Sequence, residues 1–141
     1  MEAAVLFEDA GRPEIPTLAL LVRPPWAERI AVGQKTWEIR SRRTGVRGQI
    51  AIAQAGTGTL VGVCRPHDVL GPLDADAYRS SWRLWGGEGP EPVPPYPRTF
   101  AWVLRGARAF ASPVPYRHPL GAVVWVRLGP EVRLSIGEAL G

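Results

Sequence analysis

The chain has 141 residues, 45% apolar and 21% charged, which suits one folded domain with a real core and excludes a disordered chain. No apolar run approaches the roughly 18 residues of a membrane-spanning helix. The acidic start (Glu2, Glu8, Asp9) lacks the basic and apolar regions of a signal peptide, so a cytoplasmic location is expected. The lone Cys64 excludes an internal disulfide framework, and with only His67 and His118 beside it neither a metal site nor a cofactor is expected.

Residues 1–16, with Gly11, Pro13 and Pro16, read as a weakly patterned, flexible lead. Thr17 to Val22 is a short apolar run with the length of a buried strand. Pro24-Pro25 breaks it, and residues 26–32 follow as a short helix, with Pro25 suited to its first turn and Gly33 just past its end. Lys35 to Arg40 alternates Trp37 and Ile39 with polar residues and reads as a half-buried strand whose outer face carries Glu38 and Arg40.

Gln49 to Gln54 and Thr59 to Cys64 are two more strands, joined by the hairpin connection 55–58. A helical stretch from about Asp74 to Trp85 sets Tyr78, Trp82 and Trp85 at i, i+4 and i+7. Residues 86–98 hold three Gly and five Pro, a stiff, extended surface loop. Thr99 to Phe110 and Leu120 to Leu128 complete six strands, and 129–141 reads as a C-terminal tail. Six strands with one or two short helices give a mainly β (α+β) domain, a compact barrel closed to remove its edges.

The net charge of +4 is local: residues 23–47 hold seven cations against two carboxylates, whereas the remainder is nearly balanced. Such a patch is the footprint expected for a phosphate-bearing partner, with a merely solvated Arg-rich surface as the plainer alternative. The chain has 16 Arg, one Lys and no Asn, a skew that fits a GC-rich, heat-adapted (thermophile) source. It also singles out Lys35, because lysine can lower its pKa and act as a base or point charge where arginine effectively cannot.

The densest cluster is Arg23-Pro24-Pro25-Trp26-Ala27 followed by Gly33-Gln34-Lys35-Thr36-Trp37-Glu38-Ile39-Arg40. It resembles the signature of the ASCH family of the PUA-like superfamily, a proline-tryptophan helix start followed by G-x-K-T-x-E-x-R. Residues 47–52 and 119–125 extend the likeness over roughly residues 17–128. The resemblance implies a PUA-like β-barrel over 17–128, with a cleft beside the motif strand and an association with RNA or modified bases. One branch with this signature hydrolyses N4-acetylcytidine with the motif Lys, a Thr three residues on and a later Glu. Here Lys35 matches the Lys, but the position three on is Glu38.

Within that frame Lys35 can hold a phosphate or a base carbonyl, and Glu38 can accept from a base amino group. Arg40, Arg42, Arg43 and Arg47 can fork onto phosphates, and Trp26 can wall the cleft. Trp82, Trp85, Tyr116 and His118 are further candidates for the cleft, whereas Trp37, Trp102 and Trp125 alternate like core residues. The leading expectation is an RNA- or nucleotide-binding module. One alternative is a hydrolase acting on RNA or a modified nucleoside, an amidohydrolase or ribonuclease, with Lys35 as base and Glu38 activating water. Another is a protein-interaction module using the loop 86–98.

Overall fold

In the computed structural model, which describes residues 14–89 and 93–141, the chain runs β1 (Leu18–Val22), α1 (Trp26–Ala31), β2 (Trp37–Arg40), β3 (Ile50–Gln54), β4 (Thr59–Leu70), α2 (Ala75–Ser80), β5 (Phe100–Pro115), β6 (Trp125–Arg127) and α3 (Pro130–Leu140). Most of the expected N-terminal lead, residues 1–13, and part of the Pro-rich loop, 90–92, lie outside the described residues. No described helix is long and apolar enough to cross a membrane.

The six strands form one sheet in the order β2-β5-β4-β3-β1-β6. β1 runs parallel to β3, with Ala19 opposite Ala51 and Leu21 opposite Ala53, and the other pairings are antiparallel. β1 and β3 are buried on both faces, which is why their sequences read as continuous apolar runs. Leu20, Ile50 and Ile52 face one core with Ile30, Phe100 and Trp102. Ala19, Ala51 and Ala53 face a second core with Phe110, Ile136 and Leu140. The small residues thus lie on the face that α3 covers.

α3 is a difference from the expected tail. Val132, Ile136 and Leu140 recur every four residues, and Ile136 and Leu140 are buried in the second core. Pro130 opens the helix, and Arg133 ties it to the start of β1 through the Ile15 and Pro16 carbonyls, both at 3.3 Å. It makes three helices where one or two were expected.

The sheet curls into a half-barrel, and among the described residues no ladder joins its edge strands β2 and β6, contrary to the expected closure. Side chains span the opening instead. Trp102 of β5 stacks on Trp125 of β6, with ring centroids 5.9 Å apart and planes 10° from parallel. Arg40 of β2 donates from Nη2 to the Leu21 carbonyl of β1 at 2.9 Å. Trp102 is buried as expected, whereas Trp37 and Trp125 are only partly so.

Candidate ligand-binding cleft

Beside β2, between it, α1 and the end of β1, lies a cleft of about 1070 Å³, at the upper end of small-molecule sites. Its construction starts with α1. Trp26 at the first helical position stands half-buried on the cleft wall while Ala27, Ile30 and Ala31 pack inward. Gly33, at φ +82°, ends the helix. The chain then turns sharply: Lys35 N–H donates to the Arg29 carbonyl at 3.0 Å, and Thr36 and Trp37 N–H both donate to the Leu84 carbonyl at 2.8 and 2.9 Å.

That junction removes Lys35 from the strand, so it escapes the alternation that would set it opposite Glu38. Lys35 is 4% exposed and Glu38 6%, and they meet at Nζ–Oε1 3.5 Å. The Lys35 ammonium also donates to the Trp37 carbonyl at 2.6 Å and the Trp85 carbonyl at 2.8 Å. Three acceptors therefore surround its three N–H groups. Arg40 forks onto Glu38 Oε2 from Nε at 3.0 Å and Nη2 at 2.7 Å. The outer face expected for Glu38 is corrected here: it is the most buried residue of β2, because two cations and the curl of the sheet turn it into the cleft.

Burial pushes the Lys35 ammonium below the ordinary lysine range, and the Arg40 and Arg29 charges add to that. The Glu38 carboxylate works in the opposite direction. Beneath the site, burial pushes the Cys64 thiol up to about 12, with the Glu38 charge adding to it.

Aromatic rings make the rest of the wall. Tyr78 of α2 and Trp85 stack with centroids 4.8 Å apart, and Trp85 Nε1 donates to the Tyr78 carbonyl at 2.9 Å. Asp74 starts α2 by capping the Ala77 N–H at 2.8 Å, and the helix ends by Ser80, so Trp82 and Trp85 lie in the turns that follow. At Gly86 the backbone is left-handed (φ +79°) and passes directly over the Lys35 alkyl chain. Arg29 holds the same turn from α1, through the Gly86 carbonyl at 2.7 Å and Glu88 at 3.6 Å. Trp26 lies under two cations, Arg29 at 5.0 Å and Lys35 at 5.6 Å.

Of the residues singled out in the sequence, Trp26, Lys35, Glu38, Arg40 and Trp85 line this one cleft. Arg42, Arg43 and Arg47 are exposed outside its lining. Trp82 lines a separate shallow depression on α2. Tyr116 and His118 bond to each other at 2.9 Å, away from the cleft lining, and His118 Nε2 reaches the Ala122 carbonyl at 2.8 Å. Arg29, Tyr78 and Tyr96 belong to the lining but were not singled out for it. Arg29 entered only as one cation of the 23–47 patch, and its i, i+3 spacing from Trp26 on a helix is the signal that could have set it beside the cleft wall. Among the described residues no group of three His, Cys, Asp or Glu side chains could hold a metal ion.

The family model of the ASCH domain matches residues 20–114, two-thirds of the chain. The chain belongs to the ASCH domain family. The match takes in the whole Trp26-to-Arg40 unit that builds the floor and one wall of the cleft. Among solved structures, this ASCH chain is similar to the ASCH protein of Zymomonas mobilis, with 18% identity and a TM-score of 0.60 over 86% of this chain and 95% of that one. A serine-to-alanine variant of that protein gives 18% identity and 0.58 over 89% and 97%. At that identity the likeness concerns the fold. No curated protein sequence matches the chain. As an ASCH domain it belongs to a PUA-like group associated in general with RNA.

Proposed function

We propose that this ASCH domain binds a nucleobase of RNA, or of a nucleotide, in the cleft between Trp26 and the Tyr78–Trp85 pair. The observation that carries the reading is Glu38, a carboxylate buried on the cleft floor between Lys35 and Arg40. A base brings an N–H donor edge for such a carboxylate, as the cytosine amino group does, and a flat π-face for aromatic walls. Arg40 Nη1 makes no hydrogen bond among the described residues, which leaves a donor beside Glu38 for a base acceptor. Lys35 then acts mainly by fixing Glu38 and Trp85. Arg42, Arg43 and Arg47 add attraction for phosphate that does not depend on sequence.

A hydrolase acting on RNA or a modified nucleoside is the second reading, favoured by the burial that lowers the Lys35 pKa. Against it stand the three acceptors around Nζ, which leave no free lone pair pointing at a substrate. A protein-interaction role for the loop 86–98 has less support, because its Val93, Pro95 and Tyr96 are used as cleft wall.

The test is tryptophan fluorescence titration with cytidine, guanosine, adenosine and uridine and with short single-stranded RNA. Products are followed by mass spectrometry of the same mixtures. The binding reading expects saturable quenching that Glu38→Ala abolishes, with the nucleosides recovered intact. Quenching that is equal in wild type and Glu38→Ala contradicts the cleft assignment. Product formation that stops in Lys35→Ala selects the hydrolase.

A further inference from the structure

We infer that the cleft takes its base from a polynucleotide strand and not from a free nucleoside, with Arg98, Arg42 and Arg43 gripping the strand's phosphates where it leaves the cleft. This rests on the base-binding reading above and names the partner class of the same site. Two chain segments leave the cleft lining and converge on Phe100. One runs from Arg40 on the floor to Arg42 and Arg43, and the other from Tyr96 on the wall to Arg98. Each covers only two or three residues, at most about 11 Å of chain. Both deliver a guanidinium to the same ring: Arg43 Cζ lies 5.7 Å and Arg98 Cζ 5.5 Å from the Phe100 centroid.

The positions are held in advance. Trp102 Nε1 donates to the Arg42 carbonyl at 2.7 Å, fixing the backbone there. Arg43 reaches the Gly71 and Val69 carbonyls at the end of β4, both at 3.4 Å. Phe100 is itself buried, so the ring that carries both cations does not swing away. Arg42, Arg43 and Arg98 are exposed, and among the described residues none meets a carboxylate within 4.0 Å. Two cations without carboxylate partners at one ring make a local positive site. An anion set there is attracted by both, and guanidinium forks match phosphate oxygens. A free nucleoside carries no phosphate to use them. Arg47 contributes only the general attraction named above and no grip on the track, because its Nη1 is turned onto its own loop at the Thr44 and Val46 carbonyls.

The test uses the full chain with a five-nucleotide single-stranded RNA of mixed sequence and, in parallel, the four free nucleosides. Arg98→Ala and Arg43→Ala are each expected to weaken RNA binding about threefold to tenfold at 0.1 M salt. Each should also flatten the slope of log K against log salt by about 0.7. Neither should change nucleoside affinity. Arg98→Lys should restore most of the RNA affinity, whereas Arg98→Gln, which keeps the length and loses the charge, should behave like Ala. RNA affinity and slope unchanged in Arg98→Ala and Arg43→Ala overturn the strand inference. If Glu38→Ala still weakens both ligands in that case, the base-binding reading survives alone. RNA bound no more tightly than the free nucleosides also overturns the inference. RNA and nucleoside binding both indifferent to Glu38→Ala overturns the reading on which it rests.

Discussion

Lys35 and Glu38 form an ion pair at 3.5 Å across the point where a turn becomes a strand, with both side chains nearly sealed from water. An ordinary strand would set residues three apart on opposite faces. The pair exists because the Leu84 carbonyl takes both the Thr36 and Trp37 N–H groups and postpones the strand to Trp37. Removing two charges from water is costly unless geometry and further hydrogen bonds offset it. Here the offsets are the Arg40 fork on the carboxylate and two backbone carbonyls on the ammonium.

It follows that Glu38→Ala leaves a buried ammonium without its counter-charge and should lower unfolding stability by about 3 kcal/mol. Glu38→Gln keeps an acceptor for Arg40 and should cost less. Urea denaturation of the three proteins checks this. A loss under about 1 kcal/mol for Glu38→Ala would mean that the pair is effectively solvated.

The Lys35 pKa is lowered in the folded chain from an unfolded value of 10.5. Between the lowered value and 10.5 the unfolded chain binds more protons at this site, so this group's contribution to stability rises with pH across that window. Below the window the burial cost is present in full. Wild type should therefore gain stability relative to Lys35→Met as pH climbs toward 10.5. Parallel urea melts at several pH values would read the difference, and a difference that shrinks or stays flat contradicts the burial account.

Cys64 has the opposite sign. Its thiol is pushed from 9.0 to about 12 by burial, so the folded chain keeps a proton that the unfolded chain has lost. Stability from this group falls as pH rises from 9. At pH 8 the thiol should ignore Ellman's reagent in native protein and react at once in urea, because the thiolate is the nucleophile. Fast native labelling would place Cys64 at the surface.

Gly87 is the tightest spot beside the cleft. A Cβ there would collide with the Trp85 indole, so Gly87→Ala must move the backbone or push Trp85 off Tyr78. Overpacking of this kind costs about 1–3 kcal/mol. The expected result is that loss of stability, a changed Trp emission and weaker ligand binding together. Unchanged emission and binding would mean that the Trp85 wall is dispensable.

Much of this was legible in the sequence, and the reasons are local. The runs at 17–22 and 49–54 read as strands, the first with the length of a buried one, and the proline-tryptophan start with Gly33 bounded α1 to within a residue. Lys35, Glu38 and Arg40 stood out by composition and motif. Their meeting in one cleft requires a turn at Lys35, and the partner that makes that turn, the Leu84 carbonyl, lies some 50 positions away where no local pattern points to it. Alternation favoured Trp37 and Ile39 as the inner face, and tertiary charge pairing turned Glu38 inward instead. α3 carries a four-residue period of Val132, Ile136 and Leu140 that is too short and too flanked by glycine to stand out from a tail by pattern alone. The partnership of Arg43 and Arg98 on Phe100 joins residues 55 apart that no local pattern links.

The most direct measurement is photo-crosslinking of a single-stranded RNA carrying 4-thiouridine, with the adducts mapped by mass spectrometry on wild type and Glu38→Ala. Adducts are expected on Trp26, Tyr78 or Trp85, lost in Glu38→Ala while circular dichroism shows the fold intact. Adducts confined to residues away from the cleft, such as Trp82 or Tyr116, or adducts on the cleft aromatics that persist in Glu38→Ala, would contradict the base-binding reading.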